Sequence, residues 1–449
     1  MASVTERLES IYGNRKWVLA AQAAVATRPM QELLSGWGAE TLVVASNEGT
    51  GEVPDTTIVY TRSGGDTAVE SIREFFRSVV APAPEIQREV DRFDPAMEAR
   101  VLAEPYATAS EMVGRRTFGV RRQEWSAWED KMRVDSLWSD LGIPHAPYRV
   151  VPVDDAPRAA VELASDLGTV WVADNTEGWH GGGEYVRWVP PTGGFEEAVS
   201  WYSGRAGLVR VMPFLDGLPC SIHGWVSATG VAVFEPVEIL IFRHADGSGL
   251  AYSGVATLWT APDHTRDEMR SISLAVGQAL RERDDYRGPY GIDGILTLDG
   301  FRPTELNPRM SAGAGIQLAK VDVPLGLLMR AEAEGEINVD HEWLERSARE
   351  HRKPGIHFGK MVRREVRDEF HVALSGGGEV VATDDEAESA GKVIAGPSAT
   401  GSYVTGQFDP DRVGVGPPSG PFVAAVLNLA SQRWELGLPE MAAAPYLIG

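Results

Sequence analysis

Between Arg287 and Gly315 the chain reads RGPYGIDGILTLDGFRPTELNPRMSAGAG, and four of its side chains have the chemistry of a metal and phosphate site. Asp293 and Glu305 offer hard carboxylate oxygens, Asn307 an amide and Arg309 a planar guanidinium. Mg²⁺ prefers octahedral oxygen ligands and usually takes one or two protein carboxylates beside substrate phosphates. Asp293, Glu305 and the Asn307 carbonyl oxygen therefore form a candidate metal set. Arg309 presents a fork suited to phosphate oxygens or a developing oxyanion, which makes it, with Asn307, a candidate catalytic residue.

These groups can act together only if one surface presents them. Alternation over 291–298 places Ile292, Leu296 and Leu298 on one face and Asp293, Ile295 and Thr297 on the other. Asp299-Gly300 signals a turn, and the returning run puts Glu305 and Asn307 on a common face with Leu306 turned away. A two-residue turn at 299–300 would set Asp293 opposite Leu306, so a shared face needs an odd register. A three-residue loop with Gly300 left-handed supplies one, and Pro303, which cannot donate to a ladder, marks a second place for irregular pairing. A bulged hairpin is predicted, with Pro308 holding Asn307 extended.

Elsewhere the pattern alternates short apolar runs with helical periods. Strands are predicted at 17–21 and 41–45 and helices at 29–37 and 67–79, with 46–51 a plain connection and Arg115, Arg116, Arg121 and Arg122 a solvated or interface patch. Val134, Trp138 and Leu141 keep helical spacing up to Gly142. A strand, a helix and a strand follow to 173, then a loop in which Gly181, Gly182 and Gly183 let backbone N–H groups approach a phosphate unobstructed. An apolar strand at 207–215 suits a flat purine, with Met212 and Leu215 as contacts. Strands at 219–227 and 231–243 come next, and since Glu235 and Glu238 differ by three, at most one faces a common site. Met269, Ile272, Val276 and Leu280 mark a helix behind the hairpin. A helix then runs toward Ala331, interrupted near Pro324, and another covers 341–351. The rest reads as strands, a 401–406 loop near substrate, and a closing helix at 422–434.

The phrase Glu305-Leu-Asn307-Pro-Arg309, preceded by Gly291-Ile-Asp293, resembles the metal-binding end of the ATP-grasp ligases. Segment order extends the resemblance to the whole chain, and within the family to the pheganomycin-type peptide ligases, which carry an extra N-terminal domain. It implies an α/β (α+β) chain: an N-terminal α/β pre-ATP-grasp domain at 1–126, the ATP-grasp nucleotide-binding and catalytic domain at 127–350 and a small C-terminal α+β unit at 351–449. It also implies that Lys131 points at the nucleotide phosphates, that the 181–183 loop closes over the triphosphate with His180 helping to neutralise charge, and that 207–215 holds adenine. The family's lysine on the strand before that loop is replaced here by Val172 and Ala173, with Lys131, His180 or Arg187 as substitutes.

The activity implied is an ADP-forming carboxylate–amine ligase using ATP and Mg²⁺ through an acyl phosphate. The likeness points to an unusual amino acid joined to a peptide N-terminus in antibiotic-type biosynthesis. An ATP-binding module without ligation and a ligase for a small metabolite are the alternatives. No Gly-x-Ser-x-Gly elbow or His-Glu-x-x-His pattern competes.

Composition narrows the setting. The chain has 449 residues, room for about three domains, and 43% of them are hydrophobic. A formal net charge of −22 and a pI near 4.9 argue against nucleic acid or an anionic membrane as partner. Cys220 is the single cysteine, and no apolar run approaches membrane-spanning length, so a cytoplasmic enzyme is expected, its oligomeric state open with a homodimer among the options.

Overall fold

The computed structural model describes residues 3–444 except 63, 66, 176–179, 192, 246–248, 399 and 400. Its first unit is a parallel sheet of Lys16–Ala20, Glu40–Ala45, Thr57–Tyr60 and Arg100–Ala103, ordered third, second, first, fourth. Parallel strands covered on both faces must be apolar almost throughout. Accordingly Leu19 and Val43 enter one core while Val18, Leu42 and Val44 enter the core on the opposite side. Helices Arg28–Gly36 and Ala68–Val80 flank the sheet within a residue or so of the predicted spans. Arg115 is not a solvated charge: it is buried against Asp94 at 2.6 Å and Asp91 at 3.1 Å.

A second, antiparallel sheet holds Arg149–Pro152, Leu208–Pro213, Thr169–Ala173 and Val186–Val189 in that spatial order. Its two faces differ, as strand alternation demands. Trp171, Val209 and Val211 pack with the helices Ala156–Leu163 and Phe195–Tyr202, while Val170, Val172 and Met212 turn the other way toward Ala146.

The large sheet starts at the hairpin Gly288–Thr297 and Gly300–Asn307 and continues through Leu218–Val226, Val237–His244 and Leu250–Ala256. It runs unbroken into Ile356–Val362, Gly401–Phe408, Gly391–Ser398, Asp368–Leu374 and Val380–Thr383. The 401–406 stretch, expected as a loop, is thus strand. The expected strand at 231–243 splits into Val231–Val233 and Val237–His244.

Helix Asp263–Asp284 covers Cys220, Ile222, Ile292 and Leu306 on one face of this sheet, and helix Gly420–Trp434 covers Leu240, Phe242, Phe358 and Val404 on the same face. Glu238 belongs to that covered face. It accepts hydrogen bonds from Ser419 N at 2.7 Å, Ser419 Oγ at 2.8 Å and Gly420 N at 2.8 Å, so it anchors the last helix and faces no substrate. Glu235 falls in the break between the two strand pieces. By register, Ser221, His223, Tyr252, Asp293, Glu305 and Asn307 lie on the opposite face.

Candidate active site

The hairpin closes through a two-residue turn at Leu298 and Asp299, with Thr297 opposite Gly300. That register holds as far as Gly294 opposite Pro303, and unaltered it would set Asp293 against Thr304 and throw Glu305 onto the covered face. Thr304 is instead an extra residue, after which Asp293 pairs with Glu305 and Gly291 with Asn307. The bulge lies beside Pro303, not in the turn, and Thr304 Oγ1 donates to the Asp293 carbonyl at 3.2 Å.

With register restored, the polar groups interlock. Asn307 Nδ2 donates to Asp293 Oδ2 at 3.0 Å, while Asn307 Oδ1 accepts from Arg309 Nη2 at 2.8 Å. A carboxylate only accepts and a guanidinium only donates, so this chain of bonds fixes the amide orientation. The Asn307 oxygen, expected on a metal, is held here by Arg309. Arg309 Nε donates to Glu129 Oε1 at 2.7 Å, its guanidinium lies 4.9 Å from the Tyr106 ring centre, and Arg121 Nη1 reaches the same Glu129 oxygen at 2.9 Å. Arg121 is therefore buried in a network, not part of a solvated patch. Lys131 Nζ lies 3.1 Å from Glu305 Oε1, so Glu129 and Lys131 grip the end of the hairpin at two points.

Electrostatics follow from this geometry. Burial, with the Glu305 charge adding, pushes the Asp293 carboxyl up to about 7. Burial opposes ionisation of Glu129, but Arg309 and Arg121 outweigh it and hold its carboxyl below the usual range. Burial likewise opposes the Arg309 charge, and Glu129, Tyr106, Glu305 and Asp293 more than offset it. A buried carboxyl whose charge is disfavoured by desolvation and by a second carboxylate opposite it is what a divalent cation relieves. Among the described residues no group of three or more His, Cys, Asp or Glu side chains is placed to hold a metal. A pair of carboxylates facing each other is what a Mg²⁺ site with most of its ligands from phosphate and water would ask of the protein.

The other predicted residues sort by face. His180 Nε2 lies 3.2 Å from the Ala173 carbonyl and 3.1 Å from that of Asp174, and its ring stacks on Tyr185 at 4.8 Å. Burial, with Lys131 adding, pulls its pKa down to about 4, so near neutral pH it is a neutral donor to backbone and not the cation expected. Gly182 and Gly183 take φ of 62° and 76°, left-handed values that glycine adopts without strain. Residues 176–179 of the same loop lie outside the described residues. Met212 is 8% exposed and packs with Ala146, Val170 and Val172, and Leu215 borders that cluster. Arg187 is directed to the other face, paired with Trp171 in register and stacked 4.8 Å from the Trp201 ring centre, away from Val172 and Met212.

Three contributors carry no signal in the sequence: Glu129, Arg210 and Tyr252. Arg210 sits opposite Val172, on the face of Met212, and is 2% exposed. The phenol of Tyr252 lies within electrostatic reach of Asp293, Tyr106, Arg309 and Tyr403, and burial raises its pKa.

No family model and no curated protein sequence matches the chain. Solved structures do match. The biotin carboxylase domain of the 2-oxoglutarate carboxylase of Hydrogenobacter thermophilus, solved with MgADP and bicarbonate, aligns at a TM-score of 0.55 and 14% identity, covering 88% of this chain and 86% of that one. Biotin carboxylase from Campylobacter jejuni gives 0.56 and 13%, covering 88% and 87%. An L-amino acid ligase from Bacillus licheniformis gives 0.50 and 13%, covering 97% and 99%. Aligned with those enzymes over 88–97% of its length, the chain has the ATP-grasp fold.

Proposed function

We propose that this protein is an ATP- and Mg²⁺-dependent carboxylate–amine ligase. The observation that carries the reading is the bulge at Thr304, which places Glu305 opposite Asp293 beside the Asn307–Arg309 pair. Asp293 and Glu305 would hold Mg²⁺, which supplies charge neutralisation on the transferring phosphoryl group. Lys131, now on Glu305, would meet a phosphate oxygen once Glu305 turns to the metal. Backbone N–H groups of Gly181, Gly182 and Gly183 would cover the triphosphate, and the apolar face at Met212 and Leu215 would take adenine.

In this reading a substrate carboxylate oxygen attacks the γ-phosphorus, and the bond to the β-phosphate oxygen breaks to release ADP. An amine then attacks the acyl phosphate carbon, loses a proton and expels phosphate. Arg309, braced by Glu129 and Asn307, would steady the substrate carboxylate and the oxyanion of the second step. The sheet face and the glycine loop would exclude water from the acyl phosphate. The acyl donor is read as an unusual amino acid and the acceptor as a peptide N-terminus, a class supported by the family resemblance and by the fold shared with the L-amino acid ligase.

The test is ADP release by purified protein with Mg²⁺, ATP and panels of carboxylates and amines, peptides included. Turnover that requires both substrates is expected. Tight ATP binding with no turnover on any pair would sink the reading in favour of a binding module. Asp293→Asn and Glu305→Gln should each lower turnover at least a hundredfold while leaving the melting temperature within a few degrees, since each amide matches the carboxylate in shape and keeps an oxygen to accept from Asn307 or Lys131.

A further inference from the structure

The bulge is a one-residue irregularity, and something must hold it against relaxing into a regular ladder. The side chain in place to do so comes from another sheet. Arg210, on Leu208–Pro213, donates from Nη2 to the Thr304 carbonyl at 3.0 Å and from Nη1 to the Lys131 carbonyl at 3.2 Å. Asp135 Oδ2, 3.2 Å from Nη1, supplies the countercharge that a guanidinium 2% exposed requires.

We propose that Arg210 is a positioning residue for the cation end of the site, clamping the bulge carbonyl of Thr304 and the carbonyl of Lys131 so that Glu305 stays opposite Asp293. This rests on the ligase reading, because it takes those two carboxylates as metal ligands. Arginine suits this position because a rigid planar fork reaches two carbonyls and a carboxylate at fixed angles, which a lysine ammonium on a flexible stem cannot do from one place. The same guanidinium is 3.6 Å from Met212 Sδ, so a single side chain spans from the apolar nucleotide face to the bulge. Supporting groups of this kind orient ligands without touching the ion, and losing one typically weakens metal binding 10- to 100-fold.

The experiment measures Mn²⁺ binding by electron paramagnetic resonance at saturating ADP, on the parent, Arg210→Lys and Arg210→Met. Arg210→Lys keeps the charge facing Asp135 and so keeps the fold, yet cannot hold both carbonyls. It should bind Mn²⁺ about tenfold more weakly, with metal-free ADP affinity within about threefold of the parent. Arg210→Met should weaken Mn²⁺ further where it folds. A purely structural contribution would lower the melting temperature and leave Mn²⁺ affinity of the folded protein unmoved. Arg210→Lys binding Mn²⁺ as tightly as the parent would overturn the proposal alone. Failure of the parent to bind Mn²⁺ with ADP would overturn the ligase reading and this proposal together.

Discussion

Charges this close together are tolerable only because each has a partner matched to its protonation state. Asp293 leans on the Asn307 amide, Glu305 on Lys131 and Glu129 on two arginines, so removing any one strands another. His180 solves the same problem differently, by staying neutral. Its pKa falls from 6.5 to about 4 on folding, so the folded state binds fewer protons than the unfolded one between those values. Stability from this residue is complete above pH 6.5 and is lost as pH falls through 6.5 toward 4, by roughly 1.4 kcal/mol per unit, or about 3 kcal/mol in all. In His180→Gln the amide still donates to the carbonyls of Ala173 and Asp174 but does not titrate. Urea midpoints at pH 5 and pH 7 should therefore lie closer together in the variant. An unchanged gap would mean that another group carries the pH dependence.

The helix after the hairpin depends on a shape match as narrow as the bulge. Gly313 lies in the first turn of Ala312–Leu318, and a Cβ there would come within 2.2 Å of His223 Cε1. The ring has little room to yield, because His223 is 1% exposed and its cross-strand neighbour Gly291 is so close that a Cβ there too would meet the ring, at 2.7 Å. Gly→Ala inside a helix ordinarily stabilises by up to about 1 kcal/mol. Here overpacking should win and Gly313→Ala should destabilise by about 1–3 kcal/mol. Denaturant unfolding decides the sign, and a stabilised variant would show that helix and sheet are not packed as described. Such constraints mark where the sequence stops speaking. Local patterns carry the helix at 341–351, matched by His341–His351, the hairpin residues, and the need for a bulge. Its location at Thr304 depends on Arg210, whose partners Asp135, Lys131 and Thr304 are 75, 79 and 94 residues away. Within Val209-Arg210-Val211 an arginine reads as any strand residue, since no local period reveals which sheet it will meet. Glu129 is equally silent until Arg309 and Arg121 are brought to it.

At the scale of the whole molecule, the antiparallel sheet bearing Met212 and the glycine loop touches the N-terminal unit at a defined point. Thr67 caps the helix Ala68–Val80, and its hydroxyl donates to Glu184 Oε1 at 2.6 Å, while the Val69 N–H donates to the same carboxylate. Burial raises the Glu184 pKa, so the carboxylate occupies a desolvated seat at a helix N-terminus, where orphan N–H groups and the helix dipole favour a negative charge. Arg73 adds a second contact, 5.5 Å from the Tyr185 ring centre. If the glycine loop is to lie over a triphosphate, this contact anchors its C-terminal end through Glu184, and its loss should free the loop without disturbing Asp293 or Glu305. Glu184→Ala should therefore speed amide hydrogen exchange at Gly181–183 and at the first turn of Ala68–Val80. It should raise the KM for ATP several-fold and leave exchange across the hairpin Gly288–Asn307 as it was. Exchange rising equally in the hairpin would mean general destabilisation, and a KM unchanged beside a freed loop would detach the 181–183 segment from nucleotide binding altogether.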